Sequence, residues 1–415
     1  MRVCTSVRVS CGAVLMMGMA AATASAQQAL SLRDAVDRAL QSRASLKAEA
    51  ERVASAEGLK QQAAAWPNPE FQFQNENLRP GQDYANDVDT LAYFVQPLDI
   101  LGKRGKRVQA AEQGVARTQA EVEQARWQIV REVRLAYWNA RGAQESRDRL
   151  RDTLDTFGQI IEYHNAQLRV GTIAEQDVLR IRLEGERIQI AANLAALRAD
   201  RALVDLQRAM GLTDFPAVVL TEPIDGGTAT PVSVEQVLAQ RPEMKVARAA
   251  VAEAEARARL QAALARPDLS VTYGYKRTQL PGTLAGANTS IAALTMRVPL
   301  FDRNMGNRTA ADAEARRQTQ LLAATQAGVL ADYRAAEQEY ELRRAEVVAT
   351  LMPLREHATN IASISQAAYQ QGGVDLLRLL DAQRARLDAE LAFAQGMVEY
   401  QQSIVNLEAA EGVTR

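Results

Sequence analysis

The chain is written twice. Leu30-Ser31-Leu32-Arg33 returns as Val232-Ser233-Val234-Glu235, and Trp66-Pro67-Asn68-Pro69 as Arg266-Pro267-Asp268-Leu269. Pro80-Gly81 returns as Pro281-Gly282, Gln96-Pro97-Leu98 as Val298-Pro299-Leu300, and Gly171-Thr172-Ile173 as Gly372-Gly373-Val374. All five pairs are offset by 200 to 202 residues, so one register relates the two halves. Chance supplies one such match, not five in the same order. Each copy holds only two candidate membrane strands, too few to close a barrel, so a closed pore has to come from assembly.

Residues 1–26 read as a secretory leader. Arg2 and Arg8 give the positive start, Ala13-Val14-Leu15-Met16-Met17 opens a short apolar run, and Ala24-Ser25-Ala26 is a small-x-small cleavage pattern. Cys4 and Cys11 precede or open the apolar run, so neither is placed for a lipid anchor, and a mature chain starting near Gln27 without lipid is expected. Both cysteines leave with the leader, which removes disulfides, thiolate ligands and cysteine nucleophiles together. Losing Arg2 and Arg8 takes 49 basic residues to 47 against 50 acidic ones, a formal charge of −3. That balance speaks against a nucleic-acid partner. After the leader there is no run of about 18 apolar residues, so a transmembrane helix is not expected. An exported chain of this kind is either soluble in the periplasm or inserted as strands.

Each copy reads helix, strand, strand, very long helix, turn, helix. In the first, residues 31–65 are rich in Ala, Glu, Arg and Gln and end at Pro67. Glu70-Phe71-Gln72-Phe73-Gln74 then alternates with period two, and Leu91, Tyr93 and Val95 alternate again after a loop from Leu78 to Asn86. In the second, Leu269, Val271, Tyr273 and Tyr275 alternate with Ser270, Thr272, Gly274 and Lys276. The matching loop runs from Pro281 to Asn288, followed by Ala292, Leu294, Met296 and Val298. Each strand has room for about 9–11 residues, the length that crosses an outer membrane when tilted. Soluble hairpins would alternate as well. The export signal and the two matching hairpins without partner strands elsewhere favour lipid, where an unpaired edge is not tolerated. Four strands fall short of the roughly eight of the smallest barrels, so chains must pool them.

From Lys103 to Arg169 there is no proline, and Val108, Val115, Val122, Ile129, Ala136, Ala143, Leu150 and Phe157 recur every seven residues. Leu154, Ile161 and Leu168 add a second seam, and Tyr333, Tyr340, Val347, Leu354, Ile361 and Ala368 repeat the spacing in the other copy. Sustained heptads predict coiled-coil packing. Much Ala in the seams favours a curved wall over a thick bundle, and Pro353 predicts a kink. Both long helices end at glycine, in Leu168-Arg169-Val170-Gly171-Thr172 and Gln371-Gly372-Gly373, which fits a left-handed C′ position. Returning helices follow, ending near Met210-Gly211 and Glu411-Gly412. The chain thus divides into a leader at 1–26, a first repeat at 27–212, a linker at 213–231 read as surface decoration, and a second repeat at 232–415.

No catalytic constellation is present: there is no nucleophile elbow, phosphate loop or paired metal motif. His164 continues the seam seven residues after Phe157, and His357 lies on the second long helix. Without cysteine partners or a carboxylate at ligand spacing, neither reads as a metal ligand, and a satisfied helix–helix histidine is the plain reading. No cofactor and no enzyme activity are expected.

The doubled plan resembles the TolC-type outer-membrane factors, the exit ducts of tripartite efflux pumps and type I secretion systems. Ser31-Leu32-Arg33-Asp34-Ala35-Val36, the turns at Gly171 and Gly372, and the stretch from Tyr369 through Asp375-Leu376-Leu377-Arg378-Leu379-Leu380-Asp381-Ala382 carry the likeness. Gln96-Pro97-Leu98-Asp99-Ile100 with Gly102-Lys103-Arg104 further resembles the cobalt–zinc–cadmium cation-efflux branch. The resemblance implies a mainly α chain with a transmembrane β-barrel portion. In it, a homotrimer pools four strands per chain into a twelve-stranded barrel above a long coiled-coil α-barrel.

It also implies an outer-membrane site, a periplasmic membrane-fusion adaptor and an inner-membrane transporter of the RND type, with the duct passive. Multidrug or type I secretion ducts are the neighbouring alternatives, and a soluble periplasmic coiled-coil scaffold is the alternative of another class. Val170, Gly171, Thr172, Gly372 and Gly373 fall at the adaptor-contacting tip. Tyr369 and Asp381 match gate positions of the family, whereas Val374 stands for its Arg and Arg378 for its Asp. A rewired gate from Asp375, Arg378 and Asp381 with Asp177 and Arg180 is the expectation. The plain reading of such charges is that they are solvated or favour helix ends.

Overall fold

The computed structural model describes residues 28–81, 88–224, 226–278 and 287–413. The leader and most of the two strand-connecting loops lie outside the described residues.

The first element is a short strand, β1 (Gln28–Leu30), followed by α1 (Leu32–Ser42) and α2 (Ala44–Ala64). Strands β2 (Glu70–Glu76) and β3 (Asp89–Leu98) lead into α3 (Lys103–Arg169), a single helix of 67 residues, and α4 (Glu175–Ala209) returns. At ~1.5 Å per residue α3 is about 100 Å long. Strand β4 (Val218–Leu220), α5 (Val234–Gln240), α6 (Pro242–Leu264), β5 (Asp268–Thr278) and β6 (Ala287–Arg297) follow. The chain closes with α7 (Met305–Glu346), a π-helical turn at Val347–Leu351, α8 (Met352–Gln370) and α9 (Leu376–Glu411).

Residues 31–65 are two helices rather than the one expected. Ser31 caps α1, its hydroxyl accepting from the Asp34 amide at 3.1 Å, but Arg43 is extended (φ −65°, ψ 113°) and breaks the run. Arg241 makes the same break between α5 and α6, with Pro242 opening the second helix. In each case a returning helix ends at the break. Gly211 (φ +76°) and Gly412 (φ +78°) sit against the backbones of Arg43 and Arg241. The two arginines donate to the terminal carbonyls of Ala209 (3.2 Å) and Ala409 (3.1 Å). Each arginine therefore completes the end of a helix more than 160 residues away.

The stretch expected to be surface decoration is partly core. β4 pairs in parallel with β1, Leu30 opposite Leu220, and Val218 and Leu220 are buried. Helix tyrosines fasten this stretch and the residues beside it. Tyr137 donates to the Leu30 carbonyl (3.0 Å), Tyr340 to Ala229 (3.2 Å), Tyr400 to Gly227 (2.7 Å) and Tyr333 to Val232 (2.9 Å).

The two hairpins form one four-stranded antiparallel sheet in the order β2-β3-β5-β6. The register places Phe71 opposite Phe94, Phe94 opposite Tyr273, and Tyr273 opposite Ala292. Directly opposed residues share a face, so Phe71, Phe73, Phe94, Val271, Tyr273, Tyr275, Leu294 and Met296 line one side, exposed. Leu91, Tyr93 and Val95, expected on that side, lie on the other with Gln72, Gln74 and Thr272. Alternation alone did not say which phase of β3 faces out, because both phases of Leu91-Ala92-Tyr93-Phe94-Val95 are apolar. Tyr93 instead donates to Gln72 Oε1 at 2.7 Å and lies across Gly274, where a Cβ would collide with it.

The heptad seam of α3 is buried at Val115, Ile129, Leu150 and Phe157. In the other copy Tyr333, Tyr340 and Val347 are buried, but Leu354 and Ile361 are 45% and 55% exposed. The π turn causes the slip. Pro353 has no amide to continue the ladder, and the Met352 amide bonds back five residues to the Val347 carbonyl. The extra residue per turn moves the buried line to Leu351, Ala358 and Ala362. Leu351 fits a notch at Gly396 on α9, where a Cβ would collide with it.

Candidate functional site

The helices α3–α4 and α8–α9 make two hairpins whose turns carry most of the expected functional residues. At the first turn Gly171 (φ +77°) donates to the Leu168 carbonyl at 3.0 Å and Thr172 to that of Gln167 at 3.1 Å. At the second, Gly372 (φ +75°) donates to Tyr369 at 3.0 Å and Gly373 to Ala368 at 2.8 Å. These are matching Schellman ends, each needing a residue that tolerates positive φ. Unlike Gly211 and Gly412, Gly171 and Gly372 have nothing within 4 Å of the place a Cβ would occupy. Val170, next to Gly171, is 77% exposed, and both turns present an open surface.

Behind the turns, Tyr369 meets a partner that the sequence did not nominate. His164 is buried, with Nδ1 2.7 Å from the Ile160 carbonyl and Nε2 2.7 Å from the Tyr369 hydroxyl. A carbonyl only accepts, so Nδ1 carries the proton and Nε2 accepts from the phenol. Burial raises the Tyr369 hydroxyl above its ordinary value, and the nearby Tyr163 and Asp177 raise it further. The phenol therefore stays a donor. The rings of His164 and Tyr369 lie 5.7 Å apart at 30°. His164 is thus the satisfied helix–helix histidine of the plain reading, but its partner is a candidate gate residue.

The five charged residues expected to form a rewired gate do not form one network within the chain. Asp375 is the N-cap of α9, accepting from the Arg378 amide at 3.0 Å. Asp177 lies in the first turn of α4, where a negative charge suits the helix end. Arg180 and Arg378 point into solvent, and Asp381 reaches Arg384 only at 3.9 Å. Near these residues the hairpins are joined by an ion pair of Glu184 with Arg384, and farther from the turns by Arg134 with Glu408 at 2.6 Å. Arg384 Nε donates to Glu184 Oε1 at 2.7 Å and Nη2 to Oε2, and the Glu184 side chain is 8% exposed. Around the His164–Tyr369 and Glu184–Arg384 contacts, Phe157, Ile181, Leu376, Leu379 and Leu380 belong to an apolar patch joining the hairpins. Arg384 could not be paired from sequence because its partner lies 200 residues away.

Among the described residues no group of His, Cys, Asp and Glu is placed to hold a metal ion, and no helix is long and apolar enough to cross a membrane.

Two long hairpins below a four-stranded sheet have counterparts among known proteins. The profile of the family described as "Outer membrane efflux protein" matches residues 35–212 and again 233–413. The chain belongs to the outer membrane efflux protein family. This efflux protein is 25% identical to the cobalt-zinc-cadmium resistance protein CzcC of Cupriavidus metallidurans over 88% of its own length and 85% of that relative. It is 25% identical to the nickel and cobalt resistance protein CnrC of the same organism over 64% and 62%. Among solved structures, the channel CusC superposes with a TM-score of 0.75 at 18% identity over 92% of each chain. The open state of the Neisseria gonorrhoeae MtrE outer membrane channel gives 0.74 at 20% identity over 92% and 89%. These structural matches establish the fold. The efflux protein resides in the outer membrane.

Proposed function

We propose that three copies of this outer membrane efflux protein assemble into the exit duct of a tripartite pump. Their strands close a twelve-stranded barrel in the membrane, and their helices form a hollow cylinder across the periplasm. The cargo is divalent metal cations, delivered by an energised inner-membrane transporter through a periplasmic adaptor. The duct supplies a path and a gate, not energy.

The observation that carries this is the sheet. β2 and β6 each have a single ladder partner among the described residues, while one face is a continuous exposed surface of Phe71, Phe94, Tyr273 and Leu294. An apolar face suits lipid, and lipid does not tolerate open edges. Joining β6 of one copy to β2 of the next removes both. A second support lies on the helices. Leu183, Ile190, Leu197 and Val204 recur every seven residues on α4 and are 45–69% exposed. An uncovered heptad stripe of that length fits a neighbouring copy. The resistance named in CzcC and CnrC supports metal cations as cargo. Val170, Gly171, Thr172, Gly372 and Gly373 then face the adaptor. Tyr369 and Asp381 belong to the gate, with Asp375, Arg378, Asp177 and Arg180 around its rim.

The test is to wash outer membranes with urea, extract the protein in mild detergent and measure its mass. Retention in the membrane and a mass of three chains are expected. Release by urea, or a monomer, contradicts the assembly.

A further inference from the structure

We infer that Glu70 of one copy and Arg297 of the next form an ion pair on the lumen side of the barrel, and that this pair sets the register in which the copies join. The inference rests on reading the chain as a duct that pools its strands.

The charges left over within one chain argue for this. At the end of the sheet where the helices begin there is a hollow of about 580 Å³ that all four strands reach. A hollow touched by four strands laid side by side lies on the concave side of a curved sheet, away from the exposed face of Phe71, Phe94 and Tyr273. Six charged side chains line it: Glu70, Asp99, Lys103, Arg107, Asp268 and Arg297. Four of them are paired within the chain. Lys103 Nζ lies 2.6 Å from Asp268, and Arg107 Nη2 3.2 Å from Asp99. Glu70 and Arg297 remain, one of each sign, and neither has an ion-pair partner among the described residues. Glu70 opens β2 and Arg297 ends β6, the two edge strands of the sheet.

A second copy brings the two together. β2 leaves the helices at Glu70 and β6 returns to them at Arg297, so the two edges meet antiparallel with both charges at the same end. They also share a face. Glu70 stands opposite Val95, Val95 opposite Thr272 and Thr272 opposite Ala293, and Arg297 is an even four residues beyond Ala293. Setting Arg297 against Glu70 therefore steps the ladder by four residues per copy, or about twelve around three copies. At ~3.3 Å per residue and ~4.8 Å between strands, such a barrel tilts its strands by about 35°. That lies within the range of membrane barrels. The same step taken the other way sets Arg297 against Gln62, inside α2, and leaves Phe73 to Glu76 beyond the end of β6. Slips of two residues keep the apolar face outward, so the hydrophobic pattern does not choose among them. Opposite charges facing each other across the seam do. With the pair made, every charge of the hollow is matched.

Cys4 and Cys11 fall in the expected leader, so the experiment places cysteines in pairs in the full-length chain. One variant carries Glu70→Cys with Arg297→Cys, and the other Glu70→Cys with Thr289→Cys, on the same face of β6 towards its other end. Outer membranes are oxidised and run on denaturing gels, and the mass of the unoxidised proteins is measured in mild detergent. A disulfide needs Cα atoms within about 7 Å. Within one chain the two edges are three strand spacings apart, about 14 Å or more, so linked bands report contact between copies. The first variant is expected to give two and three linked chains, and the second to stay as single chains. Glu70→Arg and Arg297→Glu each set like charges across the seam and are expected to lower the temperature at which the trimer dissociates. The exchanged pair, Glu70→Arg with Arg297→Glu, is expected to restore it. A trimer that links through Thr289→Cys instead or not at all, or an exchange no better than the single variants, overturns the inference and leaves the duct standing. A wild-type protein of single-chain mass overturns the duct reading and the inference with it.

Discussion

His164 Nε2 lies 2.7 Å from the Tyr369 hydroxyl, so the first long helix holds the tyrosine that stands just before the second tip turn. The other ring nitrogen is fixed on the Ile160 carbonyl at 2.7 Å, which orients the acceptor towards the phenol. Tyr369→Phe removes the donor and leaves Nε2 buried without a partner. The closed tip should lose about 1 kcal/mol, read as a several-fold rise in resting conductance with an unchanged melting temperature of the assembly. Unaltered conductance would show that this contact is packing only.

The glycines at the two helix breaks should be intolerant of any side chain. Gly211 and Gly412 have positive φ and lie against Arg43 and Arg241, the Arg241 amide nitrogen being 2.8 Å from a Cβ built at Gly412. Gly211→Ala and Gly412→Ala are each expected to cost about 1–2 kcal/mol from backbone conformation alone, with more at Gly412 from crowding. Gly171→Ala and Gly372→Ala carry the conformational cost without the crowding. Chemical denaturation of the four variants should separate the two pairs, and equal losses would contradict the packing described.

Leu351 and Gly396 should behave as a coupled pair. Gly396→Ala drives a methyl into Leu351 at the π turn and is expected to cost about 1–3 kcal/mol. Leu351→Ala opens a cavity of its own, yet in combination it should relieve the clash. The double variant is then less damaged than the sum of the singles. Strict additivity in denaturation would mean the two side chains do not meet.

High pH should loosen the fastening of the linker to the helices. Burial first, then Glu337, pushes the Tyr333 hydroxyl up to about 12, and burial with Tyr340 pushes that of Tyr400 up to about 12. Both are raised above the ordinary phenol value of about 10. Their contribution is therefore complete below about pH 10 and is lost as pH climbs towards 12. The melting temperature should fall across that window, and fall less steeply in a Tyr333→Phe, Tyr400→Phe variant that starts lower. A flat profile in the wild-type protein would contradict the burial of these hydroxyls.

What was legible in the sequence was whatever local chemistry dictates. Lys103–Arg169 could be read residue for residue because it lacks proline and ends at a glycine that must take positive φ. The tip turns followed for the same reason. The seam of the second long helix was lost beyond Val347, since heptad counting has no way to insert the residue that the π turn adds before Pro353. The outward phase of β3 was lost because apolar residues occupy both of its faces. β4 was missed because a three-residue strand has too little period to detect, and its partner β1 lies about 190 residues away. In the candidate site, Tyr369 was nominated through the family resemblance. His164 was noticed at its seam position without its partner. Glu184 and Arg384 were missed, because an ion pair between distant helices leaves no local trace.

The most direct measurement is growth of a strain deleted for this gene on zinc, cobalt, cadmium and copper salts, beside dyes and detergents. A duct for metal cations predicts selective sensitivity to metals, restored by the intact gene. Sensitivity to dyes and detergents alone, with metal tolerance unchanged, would contradict it.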